Sequence, residues 1–314
     1  MIYYDFLPIT YLCLLFFAFL IPLRRVSYTG RFHFLRRLKR VSIGGIALPN
    51  DGKFGDILLA DVLTSYAKII ADLFVSLCMF LTPQGSATSR PDRGCGGQYL
   101  VPIIIAIPSL IRFRQCIIEY LRVKNSRSPT TGWGGQHLAN ALKYSSAFPV
   151  IIFSAMQRNL SMDHTSLHIS PTTLYRLWLL SVLINSLYSF YWDITKDWDL
   201  LLLTPSASRN PAYPLRPRTY LPTKDIYYIA IFLDFLLRFT WSLKLSPHLD
   251  HFADFESGIF LMEVLEVLRR WMWIFLRVET EWGREKGGSN GVLMGPGADD
   301  VLLGDYMDDE DFSD

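Results

Sequence analysis

The candidate functional residues of this sequence are charged side chains inside apolar stretches. Glu266, Arg269 and Arg270 occupy one such stretch. A charge inside a membrane costs about 2.5 kcal/mol or more, so it is usually paired or functional. A guanidinium is always charged, and its planar fork of donors suits phosphate or carboxylate oxygens. Because successive helical side chains point ~100° apart, the two arginines cannot share one carboxylate of their own helix, and at least one should face a bundle interior. In the alternative interpretation Arg270 only neutralises Glu266, one turn away.

Three aspartates extend this pattern. Asp234 and Arg238 form an i, i+4 pair in an apolar run that continues to Trp241, and an intrahelical salt bridge would neutralise both without any functional role. Asp193 and Asp197 are also one turn apart, so their carboxylates repel unless a cation or a counter-charged side chain lies between them. The tryptophans around these aspartates are equally consistent with an aromatic belt at the membrane surface.

Two further clusters lie earlier in the chain. Lys143 and Tyr144 come just before a fully apolar run, where a lysine reaching back to the membrane surface beside a belt tyrosine would give the same pattern. Asp61, Thr64 and Lys68 share one helical face by i, i+3, i+7 spacing. An interfacial polar patch with a helix contact through Thr64 explains that face equally well.

These charges predict an anion site if they meet inside a helix bundle. Arg238, Arg269 and Arg270 would supply the donors, and Asp61 and Asp193 would limit how tightly the anion is held. The sequence shows no nucleotide-binding loop, metal-ligand pattern or pairing of a nucleophile with a base. We therefore predict no catalytic, metal-binding or cofactor-binding residue, and an enzyme acting on a phosphorylated substrate ranks last among the functions considered.

The elements that position these residues are membrane helices. The chain has 314 residues, of which 50% are hydrophobic and only 19% charged, which is typical of a membrane protein. A net charge of +2 gives no general basic surface and therefore no support for nucleic-acid binding. Apolar segments near the ~20 residues that cross a bilayer predict an all-α, polytopic transmembrane bundle of about seven helices. They are 6–23, 57–82, 99–111, 141–157, 176–191, 226–243 and 258–276. The third is short unless it continues through Arg112 and Arg114 to Tyr120.

Loop charges predict the orientation. The segment that follows the first helix contains Arg and Lys but no acid up to Arg40, so it should be cytoplasmic and the N-terminus lumenal. No basic region precedes the first helix, which should be a retained signal anchor. Residues 1–55 are thus predicted to hold the anchor and a basic cytoplasmic loop, and 56–282 the transmembrane domain. The Gly-rich and acidic residues 283–314 should form a disordered cytoplasmic tail. No disulfide framework can be read from the four cysteines, which we interpret as packing residues.

Several segments in order resemble the EXS family. This is the membrane domain shared by the eukaryotic phosphate exporter that is also a xenotropic retrovirus receptor and by the yeast ER-retention-defective proteins. The segments are DILLADVLTSYAKIIADL, IPSLIRFRQCIIEYLR, HLANALKYSS, YSFYWDITKDWDL, YYIAIFLDFLLRFTWSL and EVLRRWMWIFLRVETEW. The resemblance covers about Asp56 to Trp282. The exporters have a segment similar to DQLNSL. At the position of its asparagine this chain has Thr64, which offers a hydroxyl in place of an amide.

The resemblance implies a polar conduit for inorganic phosphate through the bundle. The positions that match the family's motifs are Asp61, Thr64, Lys143, Tyr144, Asp193, Asp197, Arg238, Trp241, Arg269 and Arg270. Five residues precede the first helix, so the chain resembles the short fungal type without the cytoplasmic SPX domain. That type implies a Golgi membrane, with cycling to the ER, and a role in glycosylation and in retaining lumenal proteins.

The partners implied are phosphate, the lipid bilayer, and Golgi glycosyltransferases or their sorting adaptors, and a homodimer stays open. The alternative function is a membrane adaptor that retains glycosyltransferases without transporting anything. In that case the charges would be structural.

Overall fold

Every regular element of the described residues is a helix in the computed structural model. The structure describes residues 2–21, 28–48, 51–82, 91–92, 94–125, 134–162, 170–200, 202, 215–216, 219–240 and 256–289. The all-α class predicted from the sequence is therefore confirmed. Trp241 and residues 290–314 of the predicted tail lie outside the described residues.

The helices follow the chain as ten α-helices in the described part. They are α1 (Ile2–Leu20), α2 (Tyr28–Ser42), α3 (Lys53–Ser65), α4 (Ala67–Leu81), α5 (Leu100–Asn125), α6 (Gly135–Ser145), α7 (Ala147–Met162), α8 (Pro171–Trp192), α9 (Asp225–Arg238) and α10 (Glu256–Ser289). A π-helical turn, Asp193–Asp197, continues α8. Helix α10 runs past Gly283, where the tail was predicted to begin. The chain forms two compact units, unit 1 (Met1–Gln115 and Ile151–Tyr175) and unit 2 (Cys116–Val150 and Arg176–Asp314).

Two predicted spans are broken helices. The segment 57–82 was predicted as one helix, but α3 and α4 meet at a 60° bend. The segment 141–157 is likewise divided into α6 and α7 at Ser146. Pro149 explains the second break, because proline has no N–H to donate to the carbonyl four residues back and its ring clashes with that carbonyl.

Helix α5 is the opposite case, since it continues unbroken through Arg112 and Arg114 to Asn125. Its internal Pro108 is compatible with a membrane helix, where neighbouring groups satisfy the freed carbonyl. Among the described residues α5 alone is long and apolar enough to cross a bilayer as one helix, and the bent pair α3–α4 is a second span when counted together. The bundle of seven spans therefore stays a prediction.

Unit 2 carries apolar side chains outwards and charges inwards. On α10, Leu268, Trp271 and Phe275 are exposed at i, i+3, i+7 spacing, whereas Arg269 and Arg270 of the same helix are buried. A continuous exposed apolar stripe is unfavourable in water but not in hydrocarbon. The distribution is that expected of a helix bundle surrounded by lipid.

In unit 1, the basic helix α2 packs against α3. Arg40 Nε lies 2.6 Å from Asp56 Oδ2, and the hydrogen bond to Asp56 raises the pKa of Arg40 above its usual value. Arg37 packs so closely on Gly55 that an added Cβ would lie 1.5 Å from its Nη1. A larger residue at position 55 would therefore require the Arg37 guanidinium to move.

Candidate functional site

A buried lysine lies between the two aspartates of the π-helical turn. Lys143 Nζ, at the end of α6, is 3.3 Å from Asp193 Oδ1 and 3.2 Å from Asp197 Oδ2. The lysine side chain is 8% exposed and that of Asp193 is fully buried. The structure thus confirms that a counter-charged side chain separates these two carboxylates. The alternative of a lysine reaching to the membrane surface is wrong, because the ammonium is buried between them.

The turn that holds these aspartates has an unusual backbone. The N–H of Trp198 donates to the carbonyl of Asp193 at 2.8 Å, five residues back, and such π-helical turns are often found at functional sites. Two side chains of α10 fix the end of the turn: Arg277 Nη1 donates to the Asp197 carbonyl at 3.2 Å, and Thr280 Oγ1 donates to the Trp198 carbonyl at 3.1 Å. Because Trp192 and Trp198 are buried, the aromatic-belt interpretation does not apply to them.

Arg238 and Arg269 share two buried carboxylates. Arg238 Nε lies 3.0 Å from Asp234 Oδ2, as the i, i+4 spacing predicted, and Arg238 Nη2 also binds Asp193. Arg269 Nη1 lies 3.0 Å from Asp234 Oδ1 and 3.7 Å from Asp193 Oδ2. Neither Asp193 nor Asp234 has any exposed surface. The predicted intrahelical pair therefore exists, but it belongs to a network that joins α8, α9 and α10.

The two adjacent arginines of α10 have different surroundings. Arg269 donates from Nη2 and Nε to the two oxygens of Glu266, at 2.6 and 2.9 Å. Arg270 places its Cζ 4.6 Å from the ring centroid of Trp273, a cation–π distance. Glu266 thus binds Arg269. The alternative interpretation of the sequence had named the next residue, Arg270, as its partner.

Eight charged side chains of unit 2 make up what we call the central cluster. Its members are Lys143, Arg238, Arg269, Arg270, Asp193, Asp197, Asp234 and Glu266. The four cations all attract the Asp193 carboxylate, and the formal charges of these eight residues cancel. Aromatic rings border the cluster, with Lys143 Nζ 5.3 Å from the ring centroid of Tyr144 and 5.9 Å from that of Trp192.

The two earliest site candidates, Asp61 and Thr64, belong to unit 1. Arg112 Nε lies 2.6 Å from Asp61 Oδ1, and both side chains are 4% exposed. Thr64 Oγ1 donates to the Asp61 carbonyl of its own helix at 2.7 Å. Lys68 lies beyond the bend and pairs with Asp72 at 2.8 Å. The predicted face shared by Asp61, Thr64 and Lys68 is therefore wrong, because it assumed one continuous helix.

Sequence reasoning missed a second group of buried polar residues along α10. Arg216 lies between α8 and α9, where its side chain is buried and its Nη2 is 2.8 Å from Glu279 Oε1. Its Nη1 donates to Thr280 Oγ1 at 2.8 Å, and Tyr227 binds Glu279 through its hydroxyl. The partners of Arg216 are far away in sequence, so no local spacing could have revealed them.

The cysteines also require a correction. Cys78, near the end of α4, and Cys95, before α5, form a disulfide in unit 1. Cys116 is free and buried, as a packing residue should be, whereas Cys13 is free and exposed. Sequence reasoning missed the bond because two cysteines 17 residues apart, without a repeated spacing, do not indicate a pair.

Comparisons with known proteins agree on one family. The model of the EXS family matches residues 1–283. Protein ERD1 homolog 2 of Schizosaccharomyces pombe is 33% identical over 228 residues, covering 72% of this chain and 54% of that protein. Protein ERD1 homolog 1 of the same yeast is 32% identical over 262 residues, covering 83% of this chain and 65% of that protein. Human solute carrier family 53 member 1 is 31% identical over 312 residues, covering 92% of this chain and 41% of that protein. The chain thus spans roughly half of the length of these relatives.

Proposed function

The chain belongs to the EXS family, and from this premise we propose that it conducts inorganic phosphate through unit 2, from the Golgi lumen to the cytosol. The observation that carries the proposal is the meeting of Arg238 and Arg269 on the shared buried carboxylates Asp193 and Asp234. The relation to a human protein named as a solute carrier supports the same class of function.

The central cluster has the chemistry that a passing anion requires. Its guanidinium groups are always charged and carry more N–H donors than one carboxylate can use. An arriving phosphate can replace a carboxylate oxygen at a guanidinium without leaving an N–H donor unsatisfied. The remaining carboxylates repel the anion and so limit its residence, which a conduit needs as much as it needs binding.

The location and orientation of the protein are part of this proposal. Disulfides form in oxidising compartments such as the secretory lumen, so the Cys78–Cys95 bond supports a lumenal position for the α4–α5 connection. That position agrees with seven spans, a lumenal N-terminus and a cytosolic C-terminus. In the Golgi, phosphate released from the nucleoside phosphates that glycosyltransferases leave behind would return to the cytosol, which connects transport with glycosylation and with retention of lumenal proteins.

Phosphate flux in proteoliposomes tests the proposal directly. The purified full chain should move radiolabelled phosphate faster than empty vesicles do, and Arg269→Ala should lower the flux at limiting phosphate by roughly tenfold or more. Lys68→Ala is the matched control, because it removes a cation from an exposed pair of unit 1. Flux equal to that of empty vesicles rejects transport.

A second candidate function has one observation in its favour. The formal charges of the central cluster cancel, as a purely structural network would also require. In that case the protein would be an adaptor that retains glycosyltransferases by lateral helix contacts. Normal retention of a Golgi glycosyltransferase by a variant that is folded but does not transport phosphate would favour the adaptor.

A further inference from the structure

Trp273, on α10, has a buried indole N–H without an acceptor among the described residues. Its side chain has no exposed surface, and its Nε1 makes no hydrogen bond in that part of the chain. Leaving a buried donor unsatisfied is unfavourable, and the few native examples are often explained by a functional role. The donor of Trp273 therefore needs an explanation that the network of the central cluster does not supply.

The position of this indole on α10 connects it to the cluster. Arg269 and Arg270 precede Trp273 by one turn, at i−4 and i−3, and Arg277 follows at i+4, so the four side chains follow one side of the helix. The Arg270 guanidinium stacks on the indole, with Cζ 4.6 Å from a ring centroid. Arg277, one turn further on, is buried and binds the carbonyl of Asp197. Trp273 thus lies between the central cluster and the contact that fixes the π-helical turn.

We propose that Trp273 is a further anion-binding residue, whose indole N–H donates to an oxygen of the tetrahedral oxoanion that the arginines attract. This inference rests on the proposed function. An indole N–H donates and cannot accept, so its partner must be an acceptor oxygen. A phosphate ion carries at most one or two O–H groups near neutral pH, and its other oxygens are charged acceptors. Because the indole is uncharged, it adds a contact without adding positive charge to a balanced cluster. The stacked Arg270 orients the ring.

Replacement by phenylalanine isolates the N–H. Trp273→Phe keeps an aromatic ring beside Arg270 and removes only the donor and the second ring. Trp271→Phe is the matched control, because Trp271 lies on the same helix but is 61% exposed on the lipid-facing stripe. The readouts are the half-saturating phosphate concentration for flux in proteoliposomes and the thermal unfolding midpoint of the full chain in detergent, with and without inorganic phosphate.

The expected result is specific to phosphate. Trp273→Phe should raise the half-saturating phosphate concentration by roughly tenfold or more and reduce the stabilisation by phosphate, while Trp271→Phe behaves like the parent. Without phosphate, Trp273→Phe should unfold somewhat below the parental midpoint, because a smaller ring at this fully buried position leaves a cavity.

Two outcomes overturn the inference. If Trp273→Phe responds to phosphate at the parental concentration, the indole is not a ligand, while the proposed function stands. If the parent itself neither transports phosphate nor is stabilised by it, the proposed function and this inference fail together.

Discussion

Arg269 Nη1 lies 3.0 Å from Oδ1 of Asp234 and thereby joins α10 to α9 through a carboxylate that has no exposed surface. The other oxygen of Asp234 accepts from Arg238 at 3.0 Å. One carboxylate thus orients two guanidinium groups that would otherwise repel each other in a low-dielectric interior. Substitutions at this junction should therefore lower stability as well as the proposed anion binding.

The first prediction concerns the guanidinium fork of Arg270. Arg270→Lys keeps the positive charge but loses the planar donors and the stacking plane on Trp273. We expect the half-saturating phosphate concentration to rise by roughly tenfold, as in Arg270→Ala, if recognition is bidentate. If Arg270 acts only through its charge, Arg270→Lys should keep the parental half-saturating phosphate concentration.

The same measurements can reject the conduit. If Arg269→Ala and Arg270→Ala both reach the Golgi at normal abundance and move phosphate at the parental rate, the proposed anion conduit is rejected. The adaptor function is then favoured. Unfolding midpoints of both variants identify a loss of flux that is caused by misfolding.

The second prediction concerns the cation between the two aspartates. Lys143→Met should lower the free energy of unfolding by about 3 to 5 kcal/mol, because it removes the ammonium that lies between the buried carboxylates of Asp193 and Asp197. Adding Asp197→Asn should recover a large part of that loss, because it removes one of the repelling charges. Denaturant unfolding in detergent measures both, and a single variant as stable as the parent would show that the ion pairs contribute nothing.

A third prediction compares two ion pairs of unit 1. Asp61→Asn should cost about 3 kcal/mol of unfolding free energy, because it leaves the guanidinium of Arg112 buried without its carboxylate. Lys68→Gln should cost at most about 1 kcal/mol, because the side chains of Lys68 and Asp72 are 46% and 33% exposed. Equal losses in the two variants would contradict the burial of the first pair.

The fourth prediction concerns the disulfide. Replacing Cys78 and Cys95 by serine should lower the free energy of unfolding by about 3 kcal/mol. Without the bond, the unfolded chain gains conformational entropy because its loop is no longer closed. In sealed Golgi vesicles, an impermeant reductant should open the bond only after detergent is added. Thiol alkylation followed by mass spectrometry detects the opening, and reduction in intact vesicles would place this connection in the cytosol.

A fifth prediction tests the orientation of the C-terminus. Seven spans with a lumenal N-terminus leave the end of the chain in the cytosol, so protease should remove a C-terminal tag from sealed Golgi vesicles. A protected tag would contradict either the number of spans or the orientation. A lumenal marker enzyme that survives the same digestion serves as the control.

The helical class, the positions of the apolar segments and most of the charged candidates follow from the sequence alone. These properties depend on residues within a few positions of one another, such as the i, i+4 spacing of Asp234 and Arg238. The same spacing predicted that Asp193 and Asp197 need a counter-charge. Separately, several segments in order resemble the EXS family.

Only the tertiary structure decided which side chains meet. Lys143 lies between aspartates that follow it by 50 and 54 residues, and Arg269 binds Glu266 through both carboxylate oxygens. The bend between α3 and α4 separates Lys68 from Asp61, and a disulfide joins two cysteines that had no evident pairing. The physical reason is that an ion pair or a disulfide requires the packing of whole helices, whereas the periodicity of the sequence reports only the face on which each residue lies.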